Sequence, residues 1–113
     1  MSKVGNRNYK RGREFEYKTR DHLINEMGAV YVMRAAQSKG AADLIALFTG
    51  NGKVNYPGAR VYLVQCKRDG KLPRAEREKL WTLARETGTT PVHAFQGPRG
   101  TPVVIEYIRK EET

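Results

Sequence analysis

The sequence predicts an α/β fold, a mixed sheet covered by helices, and three observations predict it. A run with helical periodicity opens the chain. Three runs rich in β-branched and aromatic residues follow, and a second helical run stands ahead of two more of them. The expected order is α-β-β-β-α-β-β around a central five-stranded sheet.

Each element has its own signal. Residues 1–9 read as a flexible basic arm, and residues 10–113 as a single domain. From Lys10 to Met27, Phe15, Thr19, Leu23 and Met27 recur at a spacing of four, and Gly28 supplies the stop. Ala29–Ala35 reads as a strand, QSKGAA as a loop, and Asp43–Phe48 as a second strand. TGNGKVNYPG is rich in turn residues and joins two antiparallel strands, the second being Arg60–Arg68. Pro73 suits the first turn of a helix running to about Thr87, with Leu80, Leu83, Ala84 and Thr87 along one face. Gly88 ends it. Val92–Phe95 and Val103–Ile108 complete the set, separated by QGPRGTP.

Composition narrows the class. No apolar run approaches the roughly 20 residues of a membrane-spanning helix, and the amino terminus lacks the apolar centre of a secretory signal. Cys66 is the only cysteine, so no internal disulfide forms. A soluble, cytoplasmic protein is expected. Twenty-one Lys and Arg against twelve Asp and Glu leave a net charge of +9, which attracts polyanions. Lys3, Arg7, Lys10, Arg11, Arg13, Lys18 and Arg20 form one cluster, and Lys67, Arg68, Lys71, Arg74, Arg77 and Lys79 another. Either could neutralise phosphates and release counterions.

Four residues interrupt the apolar pattern. On a helical wheel Glu14 lies with Lys18, Asp21 and Asn25 on a solvated face, whereas Glu16 falls between Phe15 and Leu23 on the packing side. A carboxylate there is paired, protonated or bound to a cation. An ordinary rim pair with Arg20 is the plain alternative. Asp43 opens an apolar strand after a glycine-containing loop, where a turn aspartate is also common. Along VYLVQCKR, Val61, Leu63, Gln65 and Lys67 share one face, and Tyr62, Val64 and Cys66 the other. One face thus turns polar at Gln65 and Lys67, either to line a cleft or because a lysine snorkels at a strand end.

Such a set suits phosphodiester hydrolysis. Mg²⁺ prefers a few carboxylate oxygens with waters and substrate phosphate, and Asp43 and Glu16 would be the carboxylate ligands. Gln65 could offer its amide oxygen and Cys66 its backbone carbonyl. Lys67 could orient water or stabilise the transition state. The GxxxxGK[ST], HExxH and CxxC signatures are missing, His22 and His93 stand alone, and no organic cofactor is expected. Cys66 points away from Gln65 and Lys67, as a small core residue would. Trp81 and Tyr31 suit a core or subunit interface better than base stacking.

RGREFEYK, RAAQSKGAADLIAL and VQCK, in that order, resemble the PD-(D/E)xK nuclease superfamily, and within it the archaeal-type Holliday junction resolvases. The resemblance runs from about Lys10 to Phe95. It implies a restriction-endonuclease-like fold and a homodimer that nicks four-way or other branched DNA symmetrically, using Mg²⁺ or, in its place, Mn²⁺. It matches Glu16, Asp43, Gln65 and Lys67 to the catalytic set, and makes Arg11, Arg13, Arg34 and Ser38 candidates for DNA phosphates. The family's proline before the aspartate is Ala42 here, and Gln65 stands where the family has an acidic ligand.

The stretch from Asp43 to Lys67 with LPRAEREKLWTLARETGTTPV also resembles VRR-NUC domains, which leaves flaps or other branched DNA as an alternative substrate. A junction-binding module impaired by Gln65 is an alternative of another class, and a basic RNA-associated protein a third.

Overall fold

The computed structural model describes residues 3–35, 40–49, 60–98 and 103–109, with side chains from residue 12 onward. Helix α1 (Lys3–Asn25) precedes strands β1 (Tyr31–Arg34), β2 (Leu44–Phe48) and β3 (Arg60–Cys66). Helix α2 (Arg74–Thr87) then leads to β4 (Thr90–Gln96) and β5 (Val103–Tyr107). The predicted order of elements is the observed one.

Helix α1 corrects one expectation, because the segment assigned to a basic arm over residues 1–9 is helical from Lys3. Its residues carry no apolar stripe, so periodicity does not reveal the helix, and no proline interrupts it. At the other end Gly28 takes a φ of 83°, the left-handed conformation that glycine adopts at least cost.

The five strands lie side by side in chain order. The pairs β1–β2, β2–β3 and β4–β5 are antiparallel. The pair β3–β4 is parallel, because α2 carries the chain back across the sheet. Pro73 sits just ahead of α2 as its N-cap, and Gly88, with a φ of 70°, caps the other end by donating its N–H to the Ala84 carbonyl.

The alternation predicted for β3 holds. Tyr62 and Val64 pack with Phe15 and Leu23 of α1, alongside Leu44, Ala46, Val92 and Ala94. Leu63, on the opposite face, packs with Leu80 and Ala84 of α2. Covered on both sides, β3 is the spine of the sheet. Thr19 is buried without penalty because its hydroxyl donates to the Phe15 carbonyl one turn back, at 2.9 Å.

The apolar face expected for α2 is narrower than its periodicity suggests. Leu80 and Ala84 are buried and Trp81 half-buried, whereas Leu83 and Thr87 are exposed. Thr87 turns its hydroxyl back to the Leu83 carbonyl. Leu23 and Leu80 are both 0% exposed and anchor the two helices to opposite sheet faces. Each Leu→Ala change is therefore expected to cost about 2–5 kcal/mol, read as a drop in the urea midpoint at unchanged slope.

Candidate active site

The strands stop where the polar residues begin. β2 starts at Leu44 and β3 ends at Cys66, so Asp43 and Lys67 lie just beyond adjacent strand ends. Leu44 pairs with Val64 in the antiparallel ladder, and the regular pairing ends there, where the Asp43 N–H turns to the Val64 carbonyl.

Asp43 is held on three sides. Its N–H donates to the Val64 carbonyl at 2.8 Å, and its own carbonyl accepts from the Ala35 N–H at 2.8 Å. Its Oδ2 accepts the Cys66 N–H at 2.9 Å. Burial raises the pKa of its carboxyl above the usual range, against the lowering effect of the Cys66 N–H. The negative charges of Glu16 and Glu76 push it further up, and Lys67 opposes them. Glu16, Lys67 and Glu76 therefore all lie within electrostatic reach of Asp43.

Glu16 arrives from α1 with its side chain 18% exposed, and Arg34 Nε donates to its Oε1 at 2.7 Å. The alternative pairing with Arg20 is replaced: Arg20 turns to its neighbour Asp21 instead, at 3.2 Å. Arg34, a candidate for phosphate contact, thus holds a candidate metal ligand. Arg13 is half-buried on the same helix. Arg11 lies in α1, but its side chain is outside the described residues, as is all of Ser38.

Gln65 is 8% exposed on the α2 face of β3. Lys67 follows, its N–H donating to the Ala94 carbonyl at 2.9 Å. Its Nζ lies 3.1 Å from Glu76 Oε2 in the first turn of α2. Sequence reasoning missed Glu76, since an acidic residue in a first helical turn is ordinarily explained by the helix dipole. The second basic cluster is also less free than its composition suggests. Arg74 pairs with Glu78, and Arg77 with Glu106.

Cys66 packs against the α1 core as expected. Burial pushes its thiol far above the usual range, with the Asp43 charge adding to the shift, so a thiolate nucleophile is disfavoured. His93 is buried on the other face, where its Nδ1 lies 3.4 Å from Glu106 Oε1.

Among the described residues, no three His, Cys, Asp or Glu side chains form a metal-holding group. The oxygens expected from the sequence to hold a cation are those of Asp43 and Glu16, the Gln65 amide and the main-chain carbonyl of Cys66. Of these residues, Glu16 lies within electrostatic reach of Asp43 and Cys66 is tied to it through its N–H. All are hard oxygen donors of the kind Mg²⁺ takes. Burial first, and then the charges of Glu16 and Glu76, raise the Asp43 pKa, and a divalent cation would offset both effects, so the residues fit such an ion. Among the described residues no helix is long and apolar enough to cross a membrane.

No protein-family model matches the chain, and no curated protein sequence matches it significantly. Among solved structures, it is similar to Hjc, a Holliday junction resolvase from the archaeal hyperthermophile Archaeoglobus fulgidus. The match has a TM-score of 0.63 at 23% identity and covers 89% of this chain and 84% of that one. The chain shares that protein's α/β fold, with its five-stranded mixed sheet between helices.

Proposed function

We propose that this chain is a metal-dependent endonuclease that cuts branched DNA, with the four-way junction as its preferred substrate. The observation that carries the reading is Asp43, a half-buried carboxylate at the strand ends that feels the charges of Glu16 and Lys67. The fold shared with a Holliday junction resolvase supports the choice of substrate.

Asp43 and Glu16 would hold Mg²⁺ or Mn²⁺ with the Gln65 amide oxygen and the Cys66 carbonyl. When bound, the ion polarises the phosphodiester and makes an attacking hydroxide available near neutral pH. Lys67 stabilises the negative charge that grows on the phosphoryl oxygens, or holds the attacking water. Arg34 sets the position of the Glu16 carboxylate, and Arg11, Arg13, Arg34 and Ser38 contact DNA phosphates, which fix position rather than sequence. A homodimer suits symmetric nicking, because one domain of this size does not span two cut sites.

The test is incubation with a labelled four-way junction beside flaps, linear duplex and single strands, with and without Mg²⁺. Paired, symmetric nicks on the junction alone, dependent on the metal, are expected. A preference for flaps would transfer the activity to the VRR-NUC-like reading. Gln65 favours one further reading, a junction-binding module, since an amide is a weaker ligand for a hard cation than a carboxylate. Tight junction binding with no nicking in either Mg²⁺ or Mn²⁺ would establish that module.

A further inference from the structure

The segment that leads from β3 to α2 starts at Lys67 of the candidate site and reads KRDGKLP. It is a closed turn. The Gly70 N–H donates to the Lys67 carbonyl at 2.8 Å, and the Lys71 N–H to Asp69 Oδ1 at 3.0 Å. The turn is also tied to the end of β4: the Gln96 N–H donates to the Arg68 carbonyl at 3.2 Å, and Arg68 Nε to Gln96 Oε1 at 3.4 Å. Its backbone is therefore fixed relative to the sheet.

Ion pairing singles out two side chains here. Within the second basic cluster Lys67 pairs with Glu76, Arg74 with Glu78, and Arg77 with Glu106. Arg68 and Lys71 are both exposed, and neither has a carboxylate partner among the described residues. Asp69, which stands between them, uses Oδ1 to accept the Lys71 N–H. Two cations without a counter-charge, held on a fixed turn, suit a polyanion.

Their place in the fold says which part of it. Arg68 directly follows Lys67, which lies within electrostatic reach of Asp43. The turn brings Gly70 back to within about 7 Å of Lys67, so Lys71 stays close as well. Phosphates recur about every 3.4 Å of axis along a DNA strand, so both cations reach phosphates next to the one at Asp43. The turn runs into α2, which covers one face of the sheet, whereas Arg34 reaches Glu16 of α1 on the other. We propose that the Arg68–Lys71 turn is a second phosphate-binding element, holding the DNA backbone beside the scissile phosphate on the α2 side. This deepens the proposed function and rests on its DNA-binding half. A strand crossing the strand ends is then gripped on both sides of Asp43, which fixes the phosphate between the two grips. Because the turn is already ordered, binding costs little beyond the freedom of two side chains.

The test is junction binding by fluorescence anisotropy on the full chain, in EDTA, across a salt series. Arg68→Gln with Lys71→Gln is expected to make the slope of log affinity against log salt shallower by about 2, one for each lost phosphate contact. The control removes the same charge at the opposite end of the sheet, with Arg85→Gln and Arg109→Gln. Arg85 lies in the last turn of α2, and Arg109 lies past Ile108, whose N–H donates to Pro91 at the start of β4. Its slope is expected to change by less than about 0.5, with folding of both variants checked by circular dichroism. Equal changes in the two variants, or an unchanged slope in the turn variant, overturn the proposal. A second measurement locates the contact. Phosphates of one junction strand are replaced singly by uncharged methylphosphonates, and neighbouring positions are expected at which the parent loses affinity and the turn variant does not. A parent and a turn variant that respond alike at every position overturn it too. Neither measurement needs cleavage, so a chain that binds the junction but never nicks it loses the endonuclease reading and keeps the turn. A chain that binds no DNA loses both.

Discussion

Asp43→Asn is expected to abolish metal-dependent nicking while making the protein more stable. Asparagine keeps the size of the side chain and an oxygen for the Cys66 N–H, so the strand ends stay joined. What it removes is a charge. Several kcal/mol of transition-state stabilisation depend on that charge if it holds the metal, a loss of at least roughly 10³-fold in rate. Junction binding, carried by phosphate contacts elsewhere, should remain within a few-fold in a gel-shift assay.

The gain in stability follows from the direction of the Asp43 pKa. Burial and the charges of Glu16 and Glu76 outweigh the Cys66 N–H and Lys67, so the folded state holds the Asp43 proton more tightly than the unfolded chain does. The stabilising contribution of that proton is complete below the unfolded pKa of about 3.9. It is lost as pH rises through the higher folded pKa. Above the folded pKa the unmutated protein therefore carries a carboxylate that the Cys66 N–H and Lys67 compensate only in part, and the asparagine variant lacks it. A rise of about 0.5–2 kcal/mol at pH 7 is expected, as for other relieved active sites. It should shrink toward zero near about pH 3, below the unfolded value, where Asp43 is protonated in both the folded and unfolded states. Urea titrations at the two pH values measure it. A variant less stable than its parent at pH 7 would show that Asp43 serves the fold instead.

Much of this site was legible because polar residues interrupt apolar patterns. Gln65 and Lys67 break the alternation of β3, and Glu16 sits among the packing positions of α1. Strand period and helix period expose such breaks, and the structure puts Glu16 and Lys67 within electrostatic reach of Asp43. What stayed hidden depends on contacts between distant segments. Arg34 and Glu16 stand 18 positions apart, and nothing in either local pattern joins them. Glu76 was masked by a sufficient local explanation at the start of its helix. His93 looked isolated because its partner Glu106 lies on β5, where Arg77 of α2 also pairs with it. The fold shows the same divide. The order of the elements followed from periodicity and turn residues, but the residues of the first turns of α1 carry no apolar stripe and left no periodic trace. The exposure of Leu83 was equally illegible, since α2 uses a narrower face than its sequence offers.

Lys67→Met is expected to reduce the nicking rate by about 10²–10³-fold with the fold intact. Methionine matches the length and apolar stem of lysine, so only the ammonium is lost. That ammonium pairs with Glu76 at 3.1 Å, with the two side chains 30% and 45% exposed. A pair so open to solvent contributes at most about 1 kcal/mol to stability. The variant should thus melt within a few degrees of its parent, and lost activity cannot be blamed on unfolding. Single-turnover kinetics on a saturating junction separate the chemical step from binding: the rate constant should fall while the half-saturating concentration changes by less than about three-fold. Lys67→Arg should recover little, because a planar, longer guanidinium does not place its charge where the compact ammonium sat. Glu76→Gln releases Lys67 from its partner and also removes one of the charges pressing on Asp43. If the ion pair merely tied down a surface lysine, that change leaves the rate as it was. If Glu76 holds Lys67 in line with the phosphate, the rate falls even though the ammonium remains, and α2 becomes part of the catalytic apparatus.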